Sequence, residues 1–277
     1  MTESIITNLA DAELELLSCQ IYSQERVSEP MLPEIYVIGD VHGRADLLAA
    51  LLDYIHAASA HRHSKPVVLF LGDLVDRGPH SPQVLDQVMS TLDRYPGSQL
   101  ILGNHDFYLR ALLRGDLSSE DAINWMDWGG LATLSSYSDR PVPDFKNIAA
   151  DILKAFPHHL VLLDRALTYK QIGSFCFVHA GIRPDVPLAA QTEYDLRWIR
   201  AEFLDHFEDF DHIVVHGHTI TGSLRPEVYS NRIALDTGAY RSGRLSAAVI
   251  RNDQLSHFIC TGLTQTGDVR VEEWRAE

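Results

Sequence analysis

Positive charge is scarce in this chain of 277 residues: 23 lysines and arginines face 38 aspartates and glutamates, a formal net charge of −15 with histidine counted neutral. That balance excludes a general nucleic-acid binder, whose affinity comes from a basic face. It does not exclude an anionic substrate, because bound divalent cations invert the local field of a site. Cysteine is nearly absent. Cys19, Cys176 and Cys260 lie far apart and match neither a zinc-binding nor a disulfide spacing. A reducing cytosol, with the thiols serving as small core hydrophobes, is therefore expected. No apolar run reaches the roughly 20 residues of a membrane helix. The first residues carry Glu3, Asp11, Glu13 and Glu15 where a secretory leader has a basic flank. A soluble cytoplasmic protein without a membrane partner is expected. Internal repeats and low-complexity segments are also absent.

What is present suits a folded α/β protein: 45% of residues are hydrophobic and 22% charged, enough for one large domain or two small ones. Residues 1–33 read as an N-terminal extension, with Leu9, Leu14, Leu16 and Leu17 marking a short amphipathic helix that ends near Pro30 and Pro33. A strand–turn–helix rhythm then begins. Residues 34–39 (EIYVIG) form a strand, and residues 44–60 place Leu47, Leu48, Leu51, Leu52 and Ile55 at helical spacing. Residues 66–71 (PVVLFL) form a buried strand. A helix opening near Pro82 follows, with Val84, Leu85, Val88 and Met89 inward, and a third strand spans 99–102. Residues 107–171 read as a mainly helical cap insertion. Strands resume at 174–178 and 212–215, and four more are expected at 232–235, 245–250, 256–260 and 268–274.

Polar residues able to bind metal follow these short apolar strands again and again. Gly39-Asp40-Val41-His42-Gly43 follows the first, Gly72-Asp73-Leu74-Val75-Asp76-Arg77-Gly78 the second, and Gly103-Asn104-His105-Asp106 the third. His179-Ala180-Gly181 and His216-Gly217-His218-Thr219 follow later ones. The carboxyl ends of strands in an open α/β sheet share one crevice, so these residues can meet. Carboxylate oxygen, amide oxygen and imidazole nitrogen suit divalent manganese, iron or zinc. Asp40 and His42, two apart, can point at one ion, and Asp73 is the natural carboxylate to bridge two. Metals about 3.5–4 Å apart can hold a bridging hydroxide and clamp both the attacking and the leaving oxygen. Any one such aspartate is more often a helix cap or a turn residue; five such motifs in order make a purely structural reading improbable.

These motifs resemble those of the calcineurin-like metallophosphoesterases, and most closely the bacterial serine/threonine phosphoprotein phosphatase branch, over residues 34 to 248. The resemblance rests on GDVHG and GDLVDRG, with GNHD, HAG and GHT in support. It implies a layered α/β fold in which central mixed β-sheets pack face to face, flanked by helices, within a domain at 34–277 that carries the cap at 107–171. It also implies two divalent ions, manganese foremost. Asp40, His42 and Asp73 would hold the first, and Asp73, Asn104, His179 and His218 the second. His105 would protonate the leaving oxygen with Asp76 orienting its imidazole, while Arg77 and Arg200 would grip the phosphate. The GHT motif favours His218 over His216, which would then stand behind the ligands.

The function implied is a phosphomonoesterase acting on phosphoserine or phosphothreonine proteins by in-line attack of the bridging hydroxide. The alternative is a symmetrical dinucleoside tetraphosphatase cleaving a phosphoanhydride. Asp106 stands where phosphoprotein phosphatases usually carry glutamate, a variant familiar from tetraphosphatases, whereas those usually lack the acid present here as Asp76. Trp125, Trp128 and Tyr137 in the cap are candidates for stacking a base, although aromatics at helical spacing are more often core. A binding-only scaffold is disfavoured by the presence of His105 and Asp76. A nuclease is disfavoured by the acidic composition.

Overall fold

The computed structural model describes residues 33–60, 65–138 and 145–275. The helix expected around Leu9 to Leu17, and Cys19, lie outside the described residues. The first strand, β1 (Ile35–Ile38), runs parallel to β2 (Val67–Phe70), and β2 runs parallel to the two-residue β3 (Gln99–Leu100). On the other side of β1 the C-terminal strands β9 (Ser246–Arg251), β10 (Gln254–Leu263) and β11 (Val269–Trp274) add antiparallel, completing a six-stranded sheet ordered β11-β10-β9-β1-β2-β3. A second, five-stranded sheet is ordered β4-β5-β6-β8-β7. Its strands are β4 (Tyr169–Ile172), β5 (Phe175–Val178), β6 (Ile213–His216), β7 (Glu227–Val228) and β8 (Arg232–Ala234), of which β5, β6 and β8 are parallel.

Side-chain alternation along the strands sets the layers. Ile35 and Val37 of β1, with Val67 and Leu69 of β2, pack against Phe175 and Phe177 of β5, Val215 of β6 and Ile233 of β8. The two sheets therefore meet face to face. The intervening residues Tyr36, Ile38, Val68 and Phe70 turn the other way. They meet α1 (Ala45–Ser59), through Leu47, Leu48, Leu51 and Ile55, and α2 (Ser81–Arg94), through Val84, Leu85 and Val88. Each such fully buried side chain contributes about 1.5–3 kcal/mol. The outer face of the second sheet is covered by the short helices α8 (Glu193–Trp198) and α9 (Ala201–Leu204), with Leu196 and Phe203 buried beside Val178 and Val214. The result is a helix–sheet–sheet–helix sandwich, as expected.

Between the sheets in sequence lie the helices α3 (Asn104–Arg114), α4 (Ser119–Trp125), α5 (Leu131–Tyr137), α6 (Phe145–Ala155) and α7 (Pro157–Asp164), with a π-helical turn at Met126–Gly130. The segment is mainly helical, but its expected C-terminal end is not. Residues 169–171 belong to β4, where Tyr169, Lys170 and Gln171 pair with Val178, Phe177 and Cys176. The YKQI run is polar because β4 is the edge of its sheet and only partly buried. Cys176 and Cys260 are buried and unpaired, and burial pushes the Cys176 thiol up to about 12. Among the described residues no helix is long and apolar enough to cross a membrane.

Candidate metal centre

The five loops that follow β1, β2, β3, β5 and β6 are laced together by their own backbone. Val41 and His42 donate their N–H groups to the Asp73 carbonyl (3.1 and 2.9 Å), and Gly43 donates to Leu74 (2.8 Å). Gly217 donates to the His179 carbonyl (2.8 Å), and the His218 N–H donates to the Asp40 carboxylate (3.1 Å). Two glycines permit this crowding. A Cβ on Gly72, whose φ is +96°, would stand 2.4 Å from the Gly103 nitrogen, and one on Gly217 would stand 2.1 Å from Asp40 Oδ1. Five of the residues singled out from sequence are themselves left-handed: His42 (φ 47°), Asp73 (50°), Asp76 (74°), Arg77 (67°) and His218 (65°). Non-glycine residues in this region are uncommon and cluster at functional sites.

Asp73 lies at the centre, almost fully buried at 2% exposure. Its Oδ1 accepts the His105 N–H at the start of α3 (3.0 Å) and stands 3.4 Å from His179 Nε2; its Oδ2 stands 3.7 Å from His42 Nε2. Two groups of convergent donors result, His42–Asp73–His105 and Asp73–His179–His218. Asn104 joins the second, its Oδ1 lying 2.9 Å from both His179 Nε2 and His218 Nδ1. Asp40 belongs to neither group; its carboxylate accepts the His218 N–H and lies close enough to Asp236 and Asp73 for their charges to act on it.

The donor set fits divalent cations on a specific ground. Burial lowers the His179 pKa, and its Nδ1 sits 2.7 Å from the Leu71 carbonyl, so Nδ1 carries the proton and Nε2 is bare. That bare nitrogen faces the amide oxygen of Asn104, also an acceptor. A cation placed between them would satisfy both acceptors at once. On the other side His42 Nδ1 donates to the Val75 carbonyl (2.8 Å), and its bare Nε2 accepts a hydrogen bond from the Arg77 guanidinium (2.7 Å). Burial, then the nearby Asp236 and Asp73 carboxylates, raise the Asp40 pKa well above its ordinary value, and burial pushes Asp236 up to about 6. Both shifts mark a surplus of acceptors and negative charge that cations would neutralise. Among the described residues, His218 Nε2 and Asp236 Oδ2 are buried without a hydrogen-bond partner.

His105 projects from the first turn of α3. Its Nδ1 lies 2.6 Å from Asp76 Oδ2 and its Nε2 3.0 Å from Arg77 Nη2. Burial opposes protonation of His105, but the Asp73 and then the Asp76 carboxylates outweigh it, and the net pKa is raised. Asp76 is fully buried and satisfied by three groups: His105, the Trp125 indole N–H (2.7 Å) and the Thr133 hydroxyl (2.6 Å). Arg77 lies over the Tyr240 ring at 4.9 Å, and Arg200 reaches Thr219 (3.1 Å) at the rim, close enough for its charge to act on His218.

Several roles were not read from sequence. Asp236 follows β8, and the strand-then-aspartate signal that marked Asp73 was present there too. Trp125 and Thr133 anchor Asp76 from the cap, which no local pattern reveals. Trp125 is fully buried with its indole on Asp76, and Tyr137 is bound to His159 Nδ1 (2.6 Å), so neither can stack a base. Asp106 is a capping residue, accepting the Leu74 and Gly103 N–H groups (2.9 and 3.2 Å). His216 is absent from both donor groups and packs edge-on against Phe203 at 5.0 Å. A cleft of about 740 Å³ lined by Arg225, Tyr229, His257 and Trp274 contains none of these residues.

Comparison with known proteins decides the family, for the model of the calcineurin-like phosphoesterases matches residues 33–237. The chain is a calcineurin-like phosphoesterase. It is thus a metal-binding phosphoester hydrolase of a family built on a dinuclear centre, consistent with the two donor groups around Asp73. This phosphoesterase is 27% identical over 227 residues to the asymmetrical bis(5'-nucleosyl)-tetraphosphatase PrpE of Halalkalibacterium halodurans, covering 76% of this chain and 87% of that one. It is 32% identical over 153 residues to the symmetrical bis(5'-nucleosyl)-tetraphosphatase of Methylococcus capsulatus, covering 54% and 44%. The solved structure of a candidate diadenosine tetraphosphatase shares its fold, with a TM-score of 0.51 and 21% identity over 88% of this chain and 95% of the other.

Proposed function

We propose that this phosphoesterase hydrolyses a phosphoanhydride of a dinucleoside tetraphosphate, with His105 as the acid that protonates the leaving oxygen. The observation that carries the chemistry is the buried Asp76–His105 pair, 2.6 Å apart, with His105 Nε2 turned toward the Asp73 carboxylate at 3.9 Å. Substrate choice is supported by the relatives named as tetraphosphatases, symmetrical and asymmetrical alike.

Asp40, His42 and Asp73 would hold one divalent ion, and Asp73, Asn104, His179 and His218 a second. Such a pair activates water as the nucleophile and neutralises the phosphoryl oxygens. Asp76 fixes the His105 ring through Nδ1, so the other nitrogen faces the departing oxygen. Arg77 lies against His42 and His105 with its two terminal nitrogens; with His105 protonated only His42 can accept from it, and an arriving phosphate would engage both nitrogens instead. Arg200 would close the clamp from the far rim. Manganese suits the mixed oxygen and nitrogen donors, and iron and zinc suit them as well.

A second reading, a phosphoserine or phosphothreonine protein phosphatase, is favoured by Asp76, the acid that tetraphosphatases usually lack. The deciding experiment is turnover of diadenosine tetraphosphate beside a phosphothreonine peptide with manganese, analysed by product. Two ADP would mean symmetrical cleavage, and ATP with AMP asymmetrical cleavage. Preference for the peptide would overturn the nucleotide reading. His105→Asn should slow a substrate with a poor leaving group far more than nitrophenyl phosphate; equal losses would remove the acid role.

A further inference from the structure

Beside the metal centre stands a group of aromatic rings that catalysis as described leaves unused. Trp198, the last residue of α8, places its ring edge-on to His218 at 6.0 Å. Tyr194 lies nearly parallel to Trp198, with centroids 6.2 Å apart and planes 21° apart, because residues i and i+4 share a helix face. Trp128 meets Trp198 at 5.5 Å. Trp198 is half-buried, whereas Trp128 is 42% and Tyr194 69% exposed. We propose that Trp198, Tyr194 and Trp128 form a shelf that stacks one nucleobase of the substrate while its phosphates lie on the metal centre. This rests on the nucleotide reading above.

The shelf is held from two sides, at Trp128 by Arg77 itself. Helix α8 is capped by the Thr192 hydroxyl, which accepts the Asp195 N–H (3.0 Å), and Asp195 is clasped by two nitrogens of Arg183 (2.6 and 3.1 Å). Trp128 sits in the π-helical turn, whose Gly129 carbonyl accepts the Arg77 N–H (3.2 Å). A Cβ on Gly129 would stand 2.8 Å from Arg77 Cγ. The turn bearing Trp128 is thus held against the backbone and Cγ of Arg77, the residue assigned to the phosphate. Large flat rings held in place present stacking faces at little entropic cost. A neutral base also meets no penalty from the acidic chain. This assigns the base-stacking role to Trp128 with two α8 residues, in place of Trp125 and Tyr137.

The test is steady-state kinetics on diadenosine tetraphosphate and on inorganic tetraphosphate, which keeps the anhydrides and lacks the bases, for wild type, Trp128→Ala and Tyr194→Ala. The ratio of kcat/KM for the dinucleotide to that for tetraphosphate should fall about tenfold in each variant, mainly through KM. Trp128→Phe should restore most of it. An unchanged ratio, whether both substrates lose equally or neither loses, would overturn the shelf. A wild type that ignores the dinucleotide and cleaves a phosphothreonine peptide would overturn the nucleotide reading itself, a result visible before any variant is made.

Discussion

At the scale of single residues, the Asp76–His105 pair proposed as the acid of this phosphoesterase depends on contacts made far along the chain. Asp76 is oriented by Trp125 and Thr133, 49 and 57 residues later in sequence. Trp125→Phe keeps a buried ring but removes the indole N–H, leaving Asp76 with one donor fewer. A hydrogen bond to a charged group is worth about 1.5–3 kcal/mol. Turnover should therefore fall more for an alkyl phosphate than for nitrophenyl phosphate, while metal content by elemental analysis stays at the wild-type value. A matching fall on both substrates would make Trp125 a packing residue alone. The same contrast explains what was legible in the sequence. Asp40, His42, Asp73, Asn104, His179 and His218 each sit at the end of a strand with its own apolar run, and could be read locally. Trp125 and Thr133 act through packing that no short pattern encodes. Asp236 follows β8 (Arg232–Ala234), where the sequence also predicts a strand, and is legible by the same rule.

At the scale of elements, the site exists because loops from neighbouring strands approach without side chains between them. Gly72→Ala places a methyl group 2.4 Å from the Gly103 nitrogen at a φ of +96°. Both the clash and the backbone conformation oppose alanine, so the loss of stability should exceed about 1 kcal/mol, read as a lowered thermal midpoint. Metal affinity should fall with it, since Asp73 and Asn104 flank the clash. A variant with unchanged midpoint and metal content would show that the two loops can separate freely. The central strands β1 and β2 were readable as short continuous apolar runs, and the amphipathic helices α1 and α2 from their period of 3.6. The edge strand β4 was not, because a half-exposed strand of tyrosine, lysine and glutamine has no apolar alternation to detect.

At the scale of the whole molecule, burial keeps many imidazoles neutral. Burial is the leading cause that lowers the pKa of His42, His159, His179, His216 and His218 below the ordinary value, to about 4 for His216 and about 2 for His218. The unfolded chain takes up protons on these groups as the pH falls through about 6.5, while the folded chain does not. Asp40, His105, Asp106 and Asp236, whose pKa values are raised in the folded chain, act the other way, but the five histidines outnumber them, so stability present at pH 7.5 should be lost progressively below about pH 6.5. The thermal midpoint of chelator-treated protein at pH 7.5 and 5.5 tests this, and a midpoint that rises on acidification would contradict it. Added manganese should raise the midpoint at pH 7.5, because an ion bound only by the folded chain stabilises it by mass action.

The left-handed backbone at His42, Asp73, Asp76, Arg77 and His218 sets durability against turnover. Each such residue costs on the order of 1–3 kcal/mol, a burden comparable in sum to the whole stability of a typical domain. Selection for heat resistance would relieve it at these same positions. Arg77 is the mildest case, being exposed, and Arg77→Gly should melt no lower than wild type while losing most of its phosphate turnover. In a screen that scores thermal survival alone, the machinery of this enzyme would be the first thing discarded.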